Sequence, residues 1–247
     1  MIRFVRRLSM FAVLASLPTI AGAQDNGNGF LFGAPAGAIS LRGGWALARA
    51  KSDLFNFTTQ NLTLNRSDFS SPDLEADIAF RVTQRTQIVL SGGLSGMNKA
   101  SEFRGFIDNS NNPINQSTSF RRVPVTVSVK RYLTSPGRSI GRFAWIPNRF
   151  ATYVGVGAGE MYYKFRQAGD FIDFSNSNVF SSIYESSGWT PTEQVLAGFD
   201  YSLGPRFALN TEARYQFASA KLSNDFSGFE RLDLSGLSTT IGFAIRY

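Results

Sequence analysis

The chain has 247 residues, with 25 Lys and Arg against 18 Asp and Glu, a formal net charge of +7, 23 Phe, 23 Gly, no Cys and no His. Without cysteine there is no disulfide, thiol nucleophile or thiolate metal ligand, and without histidine no imidazole base or imidazole ligand. The basic excess is scattered rather than gathered into a stripe, so no nucleic acid partner is expected.

The chain opens with MIRFVRRLSMFAVLASLPTIAGAQ. Arg3, Arg6 and Arg7 precede an apolar stretch from Leu8 to Leu17, Pro18 breaks it, and Ala21-Gly22-Ala23 puts small residues before Gln24. A basic start, a short apolar run and a small-residue cleavage site describe a secretory signal peptide over 1–23. A membrane anchor would need about 20 unbroken apolar residues. Cleavage takes three arginines with it and leaves a net charge of +4. Nothing after Ala23 approaches about 18 consecutive apolar residues, so no membrane-spanning helix is expected.

Eight alternating apolar and polar segments follow, separated by turn-rich stretches. Ala38–Ala50 sets Ile39, Leu41, Trp45 and Leu47 against Ser40, Arg42, Gly44 and Ala46. Asp73–Thr83 sets Leu74, Ala76, Ile78, Phe80 and Val82 against Glu75, Asp77 and Arg81, and a tight turn leads to Gln87–Met97. In Phe120–Leu133, Val123, Val125, Val127 and Val129 oppose Arg122, Thr126, Ser128 and Lys130. Phe150–Phe165 is the least regular, because Val154 and Val156 share a parity with Glu160 and Lys164. A β-bulge there would turn both charges to the polar face. Thr192–Leu203 opposes Val195, Ala197, Phe199, Tyr201 and Leu203 to Asp200. Phe207–Ser219 opposes Phe207, Leu209, Ala213, Tyr215 and Phe217 to Asn210, Glu212, Arg214 and Gln216, and Leu237–Tyr247 alternates to the last residue.

A soluble sandwich would turn the apolar faces into a dry core, whereas a membrane barrel turns them to lipid and the polar faces to a lumen. Three features favour the barrel. The links alternate long and short. Aromatic residues gather near the strand ends, with Phe150, Tyr153, Tyr201, Phe207 and Tyr247 toward one rim and Trp45, Tyr163, Phe165, Trp189 and Phe217 toward the other, as interfacial girdles would. An even number of strands, the last one reaching the end of the sequence, lets every edge pair, which a bilayer demands. The expected fold is all-β: an eight-stranded antiparallel up-and-down transmembrane β-barrel over 38–247. The cleaved leader and a periplasmic segment, 24–37, precede it, and external loops are expected near 51–72, 98–119, 166–191 and 220–231.

The closing TTIGFAIRY resembles the C-terminal signal by which bacterial outer-membrane barrels are recognised for insertion. Thr240, Gly242, Ile245 and Tyr247 occupy its polar, glycine, hydrophobic and final aromatic places, with Ile where an aromatic is frequent and Tyr where Phe is commonest. With the leader and the eight segments, the chain is similar to the small eight-stranded outer-membrane barrel superfamily of the OmpA-transmembrane, OmpX and OmpW type. The resemblance implies a cell outer-membrane location, outer-membrane lipid and the barrel-assembly machinery as partners, and a monomer. It carries no active-site motif. Thr134–Arg149 departs from it, being long for a periplasmic turn. Arg138, Arg142 and Arg149 flank Phe143, Ala144, Trp145 and Ile146, which reads either as an interfacial segment or as an ordered turn without a role. A soluble secreted β-protein is the architectural alternative.

Arg42, Glu75, Asp77, Arg81, Arg122, Lys130, Glu160, Lys164, Asp200, Glu212, Arg214 and Arg246 are expected on the inward face. Buried charges are normally paired, so they read as a structural lumen network. Glu75 with Asp77, and Asp200 with Glu212, are the acid–base pairs an enzyme would have to use. No catalytic residue, cofactor or metal site is assigned. VGVGAGE (Val154–Glu160) lacks the G-x-G-x-x-G spacing and a following helix, so its glycines read as close backbone packing. Asn61-Leu62-Thr63 and Asn115-Gln116-Ser117 match the glycosylation pattern, which Asn-rich loops produce by chance.

Lys51–Ser71, Glu102–Ser117 and Gln167–Gly188 are Asn- and Ser-rich and studded with aromatics. Phe55, Phe57, Phe171, Phe174, Phe180 and Tyr184 either pack together as a cap or contact a surface or hydrophobic ligand. Three functions stay open: a non-enzymatic surface barrel with a structural or binding role, a narrow pore for small hydrophobic molecules as an OmpW-type resemblance implies, and an envelope enzyme, which the missing histidine disfavours.

Overall fold

A computed structural model describes residues 29–247 apart from 109, 110, 142, 174 and 177. The leader expected at 1–23 lies outside the described residues. In chain order the elements are β1 (Gly37–Ala48), α1 (Asp53–Asn61), a 3-10 turn (Arg66–Phe69), β2 (Ser71–Arg81), β3 (Thr86–Ile107), β4 (Pro113–Tyr132), β5 (Gly137–Ile140), β6 (Ala144–Pro147), β7 (Phe150–Asp173), β8 (Asn178–Ser202), β9 (Phe207–Ala220), a second 3-10 turn (Asn224–Phe226), β10 (Leu232–Asp233) and β11 (Gly236–Arg246).

Eight strands, β1, β2, β3, β4, β7, β8, β9 and β11, each pair antiparallel with the next, and β11 pairs back to β1. The ring is closed. Followed around it, Ala38 pairs with Ala79, then Val89, Ser128, Gly157, Gln194, Gln216 and Gly236, which pairs with Ala48. The path therefore regains β1 ten residues beyond its start. Such a stagger in an eight-stranded ring tilts the strands by roughly 40° and leaves about 16 Å between opposite backbones, a space that side chains can fill.

Alternation sorts the side chains inside out relative to a soluble protein. Val127 and Phe243 on the outer wall are 52 % and 61 % exposed, whereas Arg42 inside is 1 % exposed. The outer apolar belt occupies about ten residues of each strand, matching the roughly 25 Å band of a membrane barrel. At one end of the ring β2 joins β3 and β8 joins β9 through short links, and Tyr247 pairs with Ala36 and Gly37. The longer link from β4 to β7, which carries β5 and β6, lies at this end too, and the remaining long links are at the other end.

The long links differ from the loops expected there. Segments 98–119 and 166–191 are mainly strand: β3 and β4 pair as far as Ile107 and Pro113, with a register irregularity between Glu102 and Ile107. β7 and β8 pair without interruption from Phe150–Tyr201 to Asp173–Asn178. Together the four strands carry a curved wall about 25 Å past the belt. Beyond the belt neither lipid nor a charged lumen sorts the two faces, so the alternation that marks a strand fades while the backbone pairing continues.

The 51–72 link also holds regular structure, α1 and its following 3-10 turn. Asp53 accepts the Leu54 amide at 2.8 Å and the Glu230 amide at 2.7 Å, a carboxylate placed where the first turn of a helix favours one. Leu54, Phe55 and Thr58 form the buried face of α1.

Candidate functional site

The middle of the lumen is filled by charged side chains. Arg42 of β1 donates to Glu75 at 2.7 Å, lies 2.8 Å from Asp77 and 3.2 Å from Glu212, and donates to Asn210 at 2.8 Å. Arg214 of β9 stands 2.7 Å from Glu212, 3.2 Å from Glu75 and 3.8 Å from Asp77. Their strands place them there by parity: β1 and β2 pair Arg42 with Glu75, and two-residue steps along β2 and β9 keep Asp77 and Arg214 on the same inner face. Among the described residues the buried charges are Arg42, Arg122, Lys130, Arg214 and Arg246 against Asp73, Glu75, Asp77, Asp200 and Glu212. Five face five, so the interior is neutral. Next to the ions lies a neutral polar layer, in which Gln194 donates to Thr126 at 2.9 Å and Ser128 at 2.7 Å, and Gln216 donates to Gln194 at 3.3 Å. Gln194 reaches Ser128 across Gly157, with which both pair; a Cβ on Gly157 would fall 2.2 Å from the Ser128 hydroxyl. Gly157 leaves room for that crossing, while Gly155 and Gly159 lie close against the Val129 and Val125 carbonyls.

Toward the short-link end, the Tyr132 hydroxyl donates to Asp200 at 2.5 Å, the Tyr153 hydroxyl donates to Glu212 at 3.0 Å, and Asn210 donates to both Asp200 and Tyr153. The Lys130 ammonium sits 3.9 Å from the Tyr153 ring centre. Tyr153 in turn covers Gly198, its partner across β7 and β8. Arg246 donates to Ser202 at 2.8 Å and lies over the Trp145 ring at 5.5 Å. Trp145 belongs to the β5–β6 hairpin, which folds beneath the barrel mouth and exchanges both backbone hydrogen bonds with Leu31 of the N-terminal segment. A cavity of about 410 Å³ lies between hairpin and mouth, bordered by Arg81, Tyr132, Arg138, Trp145 and Arg246.

The long-link end is shut by an apolar cap. Phe55 of α1 is fully buried and meets Phe69, Phe120 and Phe165 edge-on at 4.7, 5.4 and 5.8 Å. Leu54, Leu62, Leu64, Met161, Phe226 and Leu232 close around them. Arg122 binds the cap to the barrel by donating to the Leu234 carbonyl at 3.1 Å. At the outer margin, Lys99 meets Asp68 at 2.5 Å, and that contact with the Asn65 amide holds the Asp68 carboxyl below its ordinary range. The lumen is thus filled in the middle and covered at both ends.

No protein-family model matches the chain, and no curated protein is similar to it in sequence. Solved structures similar to it include the outer membrane protein OprG from Pseudomonas aeruginosa, at 16 % identity, covering 88 % of this chain and 99 % of that one with a TM-score of 0.44. Neisserial surface protein A (NspA) aligns at 10 % identity over 85 % of this chain and 96 % of that one, TM-score 0.46. The N-terminal β-barrel domain of Pseudomonas aeruginosa OprF aligns at 11 % identity over 86 % of this chain and 98 % of that one, TM-score 0.37.

Of the residues expected inward, Arg42, Glu75, Asp77, Arg122, Lys130, Asp200, Glu212, Arg214 and Arg246 are buried in the lumen, and Arg81 lies at the mouth, exposed, donating to the Ala34 carbonyl. Glu160 and Lys164 are corrected. β7 keeps one register with both β4 and β8 through this stretch, without a bulge, so both side chains point outward at the upper edge of the belt and beyond it. Lys164 there pairs with Glu185 at 2.8 Å. Tyr153, Tyr163 and Phe165 are corrected too: all three share the inner parity of β7 and are buried, while Tyr162 and Trp189, 5.6 Å apart, stand outside. Among the aromatic loop candidates, Phe55 is at the centre of the cap, Phe57 packs on Phe229 at 5.5 Å, and Phe171 packs on Tyr184 and Phe180. Phe174 lies outside the described residues. Thr240 faces inward, Ile245 outward, and the Tyr247 ring lies against Gly37. Asp73, Tyr132 and Asn210 belong to the interior as well; Asp73 shares the parity of Glu75, and Tyr132 that of Lys130.

Proposed function

We propose that the protein is a non-enzymatic integral barrel of the bacterial outer membrane, and that its outer four-stranded wall is a surface for binding. The observation that carries this reading is the closed lumen: neutral ion pairing in the middle, a hairpin under one mouth and an apolar cap in the other. A wall turned inside out, with exposed Ile241, Phe243 and Val127, is stable only against hydrocarbon. With the inside filled, contact with other molecules falls to the part of β3, β4, β7 and β8 beyond the belt, where Ile107 and Ile183 stand 61 % and 57 % exposed. The absence of His and Cys and the pairing of the interior carboxylates support a role without catalysis.

The test is topology in a Gram-negative host. Cysteines replacing Ile107 and Ile183 should react with a membrane-impermeant maleimide on intact cells, and a cysteine replacing Arg138 only after the outer membrane is permeabilised. Reaction of all three on intact cells, or of none after permeabilisation, would overturn the assignment.

A further inference from the structure

We propose that the outer flank of β4 and β7, just beyond the apolar belt, binds the phosphate of an outer-leaflet lipid. Arg121 and Lys164 are direct partners in the β4–β7 register, and both point outward. Like charges set opposite each other across two strands repel, an arrangement that an outside anion relieves. Arg166 follows on the same face, opposite Ser119. Glu185 answers part of this charge, 2.8 Å from Lys164 and 3.8 Å from Arg166. Among the described residues no carboxylate lies within ion-pair distance of Arg121.

The position and shape of the patch select the source of the anion. Beneath Arg121 on the same outer face run Val123, Val125, Val127 and Val129, and beside it the Tyr162–Trp189 pair marks the level where rings are half in water. β2 leaves β3 after Asp73–Ser95, and the gap opens a crevice of about 920 Å³. It is bordered by the half-exposed Leu74 and Leu94, by Phe120, by the cations Arg121, Lys164 and Arg166, and by Asp73. Apolar outward side chains below and beside these cations fit a phosphorylated lipid better than free phosphate, which has no chain to lay against them.

The inference rests on the membrane assignment above, and the experiment separates the two. Protein folded in a neutral detergent is titrated with lipid A, with dephosphorylated lipid A and with inorganic phosphate, and bound lipid is counted by native mass spectrometry. Lipid A should bind at least about tenfold more tightly than the dephosphorylated form. The Arg121→Ser/Lys164→Ser variant should lose about the same factor, while Arg131→Ser, at the opposite rim, should bind as the parent does. Equal binding of the two lipids, an unaffected double variant, or inorganic phosphate binding as well as the lipid would overturn the proposal. If the double variant does not fold, Arg166→Ser takes its place under the same criteria. Failure of the folded protein to insert into vesicles would remove the membrane assignment, whereas insertion without phosphate preference removes this site alone.

Discussion

Replacing Arg42 by Leu tests whether the lumen is held by balanced charge. The guanidinium lies within 3.2 Å of Glu75, Asp77 and Glu212 at 1 % exposure. At an effective dielectric near 20, each such pair contributes about 4 kcal/mol, so three give roughly 12 kcal/mol before desolvation. Several kcal/mol per ion of desolvation offsets most of that. The net loss on removing one partner is larger than the net value of the network, because three carboxylates then remain buried around Arg214. Arg42→Leu should therefore destabilise by about 3–5 kcal/mol. Arg42→Leu with Asp77→Leu removes one charge of each sign and should recover more than half of that loss. The assay is equilibrium urea unfolding in phospholipid vesicles, followed by the fluorescence of outward Trp45 and Trp189. A single variant within about 1 kcal/mol of the parent, or a double variant no more stable than the single one, would refute the argument.

Phe55→Ala empties the centre of the cap and should cost about 3–5 kcal/mol there, read as lost amide protection in α1 and β10 with the belt strands unchanged; unaltered protection in α1 contradicts it. Gly157→Val places a side chain within 2.2 Å of the Ser128 hydroxyl and 2.7 Å of the Val127 carbonyl, and should sharply lower the folded yield measured by heat-modifiable gel mobility. The Asp68 carboxyl, held down first by its hydrogen bond to Lys99, should titrate below 3.8 by carbon NMR, and Lys99→Ala should raise that midpoint. Because the folded value is the lower one, the contact contributes at neutral pH and is lost as pH falls through it, so the turn at Arg66–Phe69 should loosen only in acid.

The belt was legible because lipid and lumen impose opposite demands on successive residues. Arg42, Glu75, Asp77, Glu212 and Arg214 could be assigned inward from parity alone. Glu160 and Lys164 could not, for a physical reason: near the end of the belt an outward charge reaches the interface, so the rule that charges face inward no longer holds. Nearness to a strand end says nothing about which face a ring occupies. Tyr163 and Phe165 follow the parity of Gly157 and Gly159, and that parity carried the information. A cap of loop aromatics was one of the two readings the Phe-studded links allowed, but the helix inside it was hidden, because α1 has nine residues and a buried face of Leu54, Phe55 and Thr58, too short a repeat to separate from a loop. Partners of Phe55 come from β4, β7 and the link before β2, contacts that only the closed ring brings together.

The closed lumen is tested most directly by single-channel recording of the protein folded in detergent and added to a planar bilayer, with insertion verified by protease protection. The expected result is inserted protein and no conductance steps, in the parent and in Phe55→Ala alike, since the ion-filled middle stays shut when the cap loosens. Reproducible steps from the inserted parent protein would mean that Arg42, Arg214 and their carboxylates line a passage, and the account of a filled barrel would fall.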